Sequence, residues 1–185
     1  LDVYACECVT SLAERLRAQF PGFVGSEYFS DGRVSQAVSA RFPDCTHQDV
    51  QTLSFPDSSF DLYVSSEVLE HVPSVSLTIK EARRILRPGG VFLATFPFRL
   101  VHYESLTRAV LNTDGDIEYL TEPEYHGNPV NPSGGSLVFT IPGWDILDTC
   151  REAGFKQASM RLVFSPELGI VGTHCAGIFV LEARF

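Results

Sequence analysis

The sequence predicts a doubly wound α/β fold, and three observations point there. Seven short runs rich in Val, Phe, Tyr and Leu recur along the 185 residues, separated by helical or irregular stretches. One of them, residues 91–96, is almost wholly apolar, as a parallel strand covered on both faces requires. Acidic or polar residues stand at the ends of four runs, where open parallel sheets bind their ligands.

Each element has its own local signal. Residues 1–7 read as the first strand. Ser11 and Glu14 fit a capping box that opens a helix, Leu12, Leu16 and Phe20 supply its buried stripe, and Pro21-Gly22 end it. Residues 23–28 form a second strand that ends on Glu27 and Tyr28, and the polar stretch 30–39 carries a short helix or loop. Residues 45–50 and 60–65 are the third and fourth strands, with Asp61 in a structural place at the start of the fourth. Residues 77–86 form an amphipathic helix with Ile79, Ala82, Ile85 and Leu86 on one side. Arg83, Arg84 and Arg87 suit its dipole, and Gly89-Gly90 supply its stop.

After the strand at 91–96 the rhythm breaks. Residues 99–141 hold Pro123, Pro129, Pro132, Gly127, Gly134 and Gly135, interleaved with Tyr103, Tyr119, Tyr125, His102 and His126. So long a loop-rich insertion in a compact domain points to function. A helix at 144–153, with Trp144 as a packing residue at its start, and strands at 158–164 and 177–183 close the chain. The expected organisation is one domain with an insertion at 99–141. The chain starts at Leu1 rather than Met, so a preceding segment is expected.

Composition narrows the classes. The chain is 44% hydrophobic with 14 Phe, too apolar for disorder, yet no run of 18 apolar residues marks a membrane helix. A net charge of −9 and no clustered Lys/Arg face argue against nucleic acid as a partner. The five cysteines, Cys6, Cys8, Cys45, Cys150 and Cys175, are odd in number and scattered, which suits buried thiols in a reducing, cytoplasmic compartment. The C-x-C of Cys6 and Cys8 has no second pair at zinc spacing, so no metal is expected.

The strand ends carry the chemistry. Glu7 follows the first strand, Glu27 and Tyr28 end the second, Asp49 and Val50 end the third, and Ser65, Ser66 and Glu67 follow the fourth. An acidic residue ending the second strand can accept two hydrogen bonds from a ribose diol. Asp49 could receive an adenine amino group while the Val50 backbone meets the ring, so the set is nucleoside-shaped. No G-x-S-x-G elbow, Walker loop or G-x-G-x-x-G after the first strand is present.

The stretch from Asp49 to Asp61 (DVQTLSFPDSSFD) resembles the D-x-x-x-L-P-F-x-x-x-S-F-D signature of class I S-adenosylmethionine-dependent methyltransferases of the type 11 kind. Val68-Leu69-Glu70-His71-Val72 resembles their L-E-H-V segment, and residues 81–90 (EARRILRPGG) resemble their E-x-x-R-x-L-x-P-G-G element. The resemblance implies a Rossmann-like, seven-stranded, mostly parallel sheet with one antiparallel strand. It implies S-adenosylmethionine as cofactor and a small-molecule or sugar-related acceptor. Glu27 would then take the ribose and Asp49 the adenine amino group, with Ser65 and Glu67 near the methionine end, where a carboxylate favours a sulfonium; Glu7, Tyr28, Val50 and Ser66 complete the candidate cofactor-binding set. His71, Tyr125 and His126 are the candidate catalytic groups; packing of His71 and lid-ordering by Tyr125 and His126 are the bland readings. The family's first loop is usually Gly-rich, whereas this chain has no Gly before Phe20. The departure resembles a subgroup with a Gly-free first loop, and it motivates an alternative, a degenerate member acting as a non-catalytic binding module.

Overall fold

The structure, a computed structural model, describes residues 1–172 and 177–185. Seven strands form one sheet: β1 (Asp2–Ala5), β2 (Gly22–Glu27), β3 (Thr46–His47), β4 (Phe60–Ser66), β5 (Leu86–Thr95), β6 (Gln157–Val163) and β7 (Ile178–Arg184). Their spatial order is β3-β2-β1-β4-β5-β7-β6. The first five pair in parallel, and β7 runs antiparallel to both β5 and β6. This is the doubly wound sheet with one reversed strand. The strand order turns between β1 and β4, which makes their carboxyl ends the natural ligand crevice.

The helices are α1 (Ser11–Gln19), α2 (Gln36–Arg41), α3 (Val75–Ile85) and α4 (Ile146–Glu152). Ile79, Ala82, Ile85 and Leu86 are all fully buried, as the amphipathic pattern requires. They pack on a sheet core centred on Tyr4, Tyr63 and Phe92, whose neighbouring rings lie 4.7 and 4.9 Å apart. Asp61 begins β4 by accepting from the Asp2 amide at 2.8 Å and from Arg87 at 2.9 Å. Trp144 precedes α4, donating from its indole to the Leu100 carbonyl at 2.8 Å.

Some local expectations shift. The cap of α1 is Thr10 rather than Ser11, because the Thr10 hydroxyl accepts from the Ala13 amide. Leu12 is 40% exposed, and only Ala13 of that helix is buried, so the expected stripe does not form. The α3 helix ends at Ile85, before the Gly pair. Gly89, at φ +85°, instead lies in a bulge of β5, between the pairings Phe60–Leu86 and Leu62–Val91. The third strand shrinks to Thr46–His47, leaving Gln48 to Gln51 in a turn.

The insertion is a ladder of short antiparallel pairs, 106–107 with 140–141, 109–111 with 117–119, and 125–126 with 136–137. Cys6, Cys8, Cys45 and Cys150 are buried free thiols, and Cys175 lies outside the described residues. No helix among the described residues is long and apolar enough to cross a membrane.

Candidate functional site

A cleft of about 1020 Å³ opens at the carboxyl ends of β1, β2, β3 and β4 and is walled on its far side by the insertion. A second hollow, about 320 Å³, lies at the opposite edge of the sheet around Leu1, Leu62 and Pro88–Val91 and carries no cluster of functional groups beyond Asp61. The larger cleft is where the chemistry gathers.

Its first wall is the loop after β1. Glu7 is 6% exposed and turned into the cleft, where Oε2 accepts from the Thr10 hydroxyl and the buried Oε1 has no partner. The thiol of Cys8 points the other way, into a small cluster with Phe42 and Cys45. That outward turn is how a Gly-free loop still leaves the cleft open. Gly25 in β2 is required beside it, since a Cβ there would lie 2.9 Å from the Glu7 carbonyl oxygen. Glu27 then ties the loop to β2: its Oε1 accepts from the backbone amides of Cys8 at 2.8 Å and Val9 at 3.2 Å. Its Oε2 has no partner among the described residues and is left for a ligand. Tyr28 lines the cleft at 60% exposure, with its ring 5.5 Å from His47.

The second wall is the turn after β3. Asp49 Oδ1 accepts from the Gln51 amide at 2.9 Å, an Asx turn that presents Asp49 and Val50 to the cleft. This turn is held from behind. Glu81 Oε2 accepts from the Leu53 amide at 2.8 Å, and Arg84 donates to the Leu53 and Phe55 carbonyls at 2.9 and 2.7 Å. The E-x-x-R spacing therefore puts both side chains on one face of α3 to grip the 53–57 segment.

The third wall, after β4, divides the expected residues. Ser66 and Glu67 line the cleft, with Glu67 at φ +52° as the chain leaves the strand. Ser65 does not. It is 1% exposed beneath the sheet surface beside Cys6, because alternate residues of a strand point to opposite faces. His71, in a single 3-10 turn (Leu69–His71), lines the cleft. Tyr125, expected at the chemistry, is 55% exposed and outside the cleft wall, with its hydroxyl 3.4 Å from that of Tyr119. His126 likewise does not line the cleft but stands behind His71, the two rings 5.1 Å apart and nearly perpendicular.

Sequence reasoning passed over Glu70. It is fully buried, and neither carboxylate oxygen has a hydrogen-bond partner. Burial pushes its carboxyl up to about 8. The available signal was a charged residue inside the apolar run from Val68 to Val72.

The cleft is acidic. Glu7, Glu27, Asp31, Asp49 and Glu67 line it, and among the described residues no Lys or Arg does. Such a field attracts cationic ligands and disfavours phosphate. Burial raises the Glu7 and Glu27 carboxyls above the ordinary glutamate value, and the mutual charge adds to Glu7. The folded state therefore binds these protons more tightly than the unfolded one. Their contribution to stability is lost as pH rises from the ordinary glutamate range through the raised folded values. The Tm of ligand-free protein is expected to fall less across that window in a Glu7→Gln/Glu27→Gln double variant than in wild type. Equal slopes would contradict this assignment.

A nucleoside carrying a positive charge fits these residues. Glu27 offers an oxygen without a partner among the described residues, Val50 is buried in the turn beside it, and Glu7 adds a second carboxylate at the loop.

Residues 7–94 match the methyltransferase domain family. A probable S-adenosylmethionine-dependent methyltransferase of Mycolicibacterium smegmatis is 33% identical over 99 residues, covering 52% of this chain and 35% of that protein. The ubiquinone/menaquinone biosynthesis C-methyltransferase UbiE of a Rhodopseudomonas palustris strain is 42% identical over 142 residues, 68% of this chain and 49% of its own. The chain thus spans half or less of the length of these curated relatives. The fold is also that of a solved Mesorhizobium loti S-adenosylmethionine-dependent methyltransferase, with a TM-score of 0.60 at 17% identity over 100% of this chain and 91% of the other.

Proposed function

We propose that the chain, whose residues 7–94 match the methyltransferase domain family, is a class I S-adenosylmethionine-dependent methyltransferase that transfers a methyl group to a small organic acceptor. The observation that carries this reading is the cleft itself, with five carboxylates and, among the described residues, no Lys or Arg at the switch point of the sheet. S-adenosylmethionine supplies a methyl carbon activated by a sulfonium, which leaves as a neutral thioether. The chain's part is to bind, orient and keep out water.

Glu27 Oε2 takes the ribose hydroxyls while Oε1 keeps the first loop in place. Asp49 and Val50 take the adenine. Glu7 lends negative charge to the methionine end, and Ser66 and Glu67 border the sulfonium. The neutral imidazole of His71, held below its ordinary pKa chiefly by burial, stands at the acceptor end.

The acceptor is a small uncharged or cationic molecule rather than a phosphate ester or nucleic acid. The insertion at 99–141 works as the acceptor wall of a single cytoplasmic domain, contributing Leu111, Ile117, Val130, Leu137 and Phe139. An apolar wall of this kind suits an aromatic or lipid-like ring, as the name of the UbiE relative suggests, and also the carbon face of a sugar.

Isothermal titration and thermal scans with S-adenosylmethionine and S-adenosylhomocysteine test the reading. Saturable heat and a raised Tm are expected, because a ligand that binds only the folded state stabilises it. Silence with both ligands would sink it. Binding without turnover across acceptor pools would favour the non-catalytic module instead.

A further inference from the structure

Glu70, His71 and His126 converge on one point, each offering a ligand atom within 4.8 Å of the others. The hydrogen bonds around them fix which atoms carry lone pairs. His71 Nδ1 lies 2.9 Å from the Leu137 carbonyl oxygen, which can only accept, so Nδ1 carries the proton and Nε2 the lone pair. His126 Nε2 lies 3.2 Å from Glu124 Oε1, so Nε2 carries the proton and Nδ1 the lone pair. These two lone pairs face Glu70 Oε1 at 3.5 and 3.6 Å. An ionised Glu70 would put three acceptors together with no donor between them, and neither of its oxygens has a hydrogen-bond partner. A buried carboxylate is not left unpaired, so this point takes up either a proton or a cation.

We propose that Glu70 Oε, His71 Nε2 and His126 Nδ1 bind a divalent transition-metal cation just behind the cleft wall that His71 forms. Two imidazoles and one carboxylate on one side of an ion leave its other positions open, and this donor set suits Zn²⁺, Mn²⁺, Co²⁺ or Fe²⁺ better than Ca²⁺. The second nitrogen of each histidine is held by a carbonyl or a carboxylate, the arrangement that orients metal-ligating imidazoles. Glu67, on the cleft side, adds negative charge felt at Glu70. Because His71 borders the cleft, an ion held behind it would lie one imidazole away from a bound acceptor and would act on it as a nearby positive charge. That use in methyl transfer rests on the function proposed above; the binding of the ion does not.

The test is to titrate chelator-treated full chain with Mn²⁺ and Co²⁺ by calorimetry, with the Co²⁺ absorption spectrum as a second readout. About one equivalent is expected to bind, without the thiolate charge-transfer band that cysteine ligation would give. Glu70→Gln and His126→Ala should each weaken binding at least about tenfold, and His102→Ala on the exposed loop should not. S-adenosylhomocysteine thermal shifts on the same samples report folding and the cofactor site. No saturable binding at millimolar metal, or binding insensitive to both Glu70→Gln and His126→Ala, overturns the site, and Glu70 is then a protonated structural acid. Metal binding without any S-adenosylhomocysteine shift leaves the site standing and overturns the cofactor reading.

Discussion

Replacing Glu27 with alanine is expected to weaken S-adenosylhomocysteine binding by about 30- to 1000-fold. The side chain has two tasks. Oε1 holds the Cys8 and Val9 amides, and Oε2 faces the cleft without a partner. Charge-assisted hydrogen bonds contribute about 1.5–3 kcal/mol each, so losing one or two to a ribose costs roughly 2–4 kcal/mol. The loop amides would also lose their acceptor, which lowers the Tm of the free protein. Glu27→Gln separates the two tasks. Its amide oxygen still accepts from Cys8 and Val9, so the free protein should melt near wild type while affinity falls. Calorimetry on both variants checks this, and wild-type affinity in Glu27→Ala would remove the ribose assignment.

Replacing Arg84 with alanine is expected to cost about 2–4 kcal/mol of stability, the range for losing several hydrogen bonds to a charged group at a partly exposed site. Its guanidinium meets both Glu81 oxygens at 2.8 and 2.7 Å, Asp57 at 2.9 Å, and the Leu53 and Phe55 carbonyls. The side chain is 29% exposed, so solvent screens the ion pairs, and the carbonyl contacts carry more of the effect. For a chain of this size that corresponds to a Tm lower by about 5–15 °C. Because the gripped segment leads out of the Asp49–Val50 turn, cofactor affinity should fall severalfold as well. Arg84→Lys should recover little, since an ammonium cannot span two carbonyls and a carboxylate in one plane. A variant melting within 2 °C or so of wild type, well inside the expected shift, would show that the segment holds itself.

Much of the fold was legible because its signals are local. The buried face of α3 follows from Ile79, Ala82, Ile85 and Leu86 at helical spacing, and the apolar run at 91–96 requires cover on both faces. The cleft-facing positions Glu7, Glu27, Asp49 and Glu67 were legible for a related reason. In an open parallel sheet, whatever follows the carboxyl end of a strand near the switch point faces the crevice.

Other features depended on neighbours distant in the chain. Leu12 fits a helical stripe, yet the sheet beneath α1 reaches only Ala13. Ser65 and Ser66 are adjacent and chemically alike, and which one faces the cleft depends on the parity of β4 against β1 and β5. Tyr125 and His126 are adjacent too, and the pairing of 125–126 with 136–137 turns the tyrosine outward and the histidine toward Glu70.

By itself, then, the sequence determined the layered architecture, the family motifs between Asp49 and Gly90 and the strand ends that build an acidic crevice. These rest on periodicity and on residues near one another in the chain. Only the tertiary structure decided that Glu70 is buried without a partner and that His126 reaches it from more than fifty positions away. Solvation and the direction of lone pairs belong to the packed molecule, because they depend on every group that displaces water around an atom.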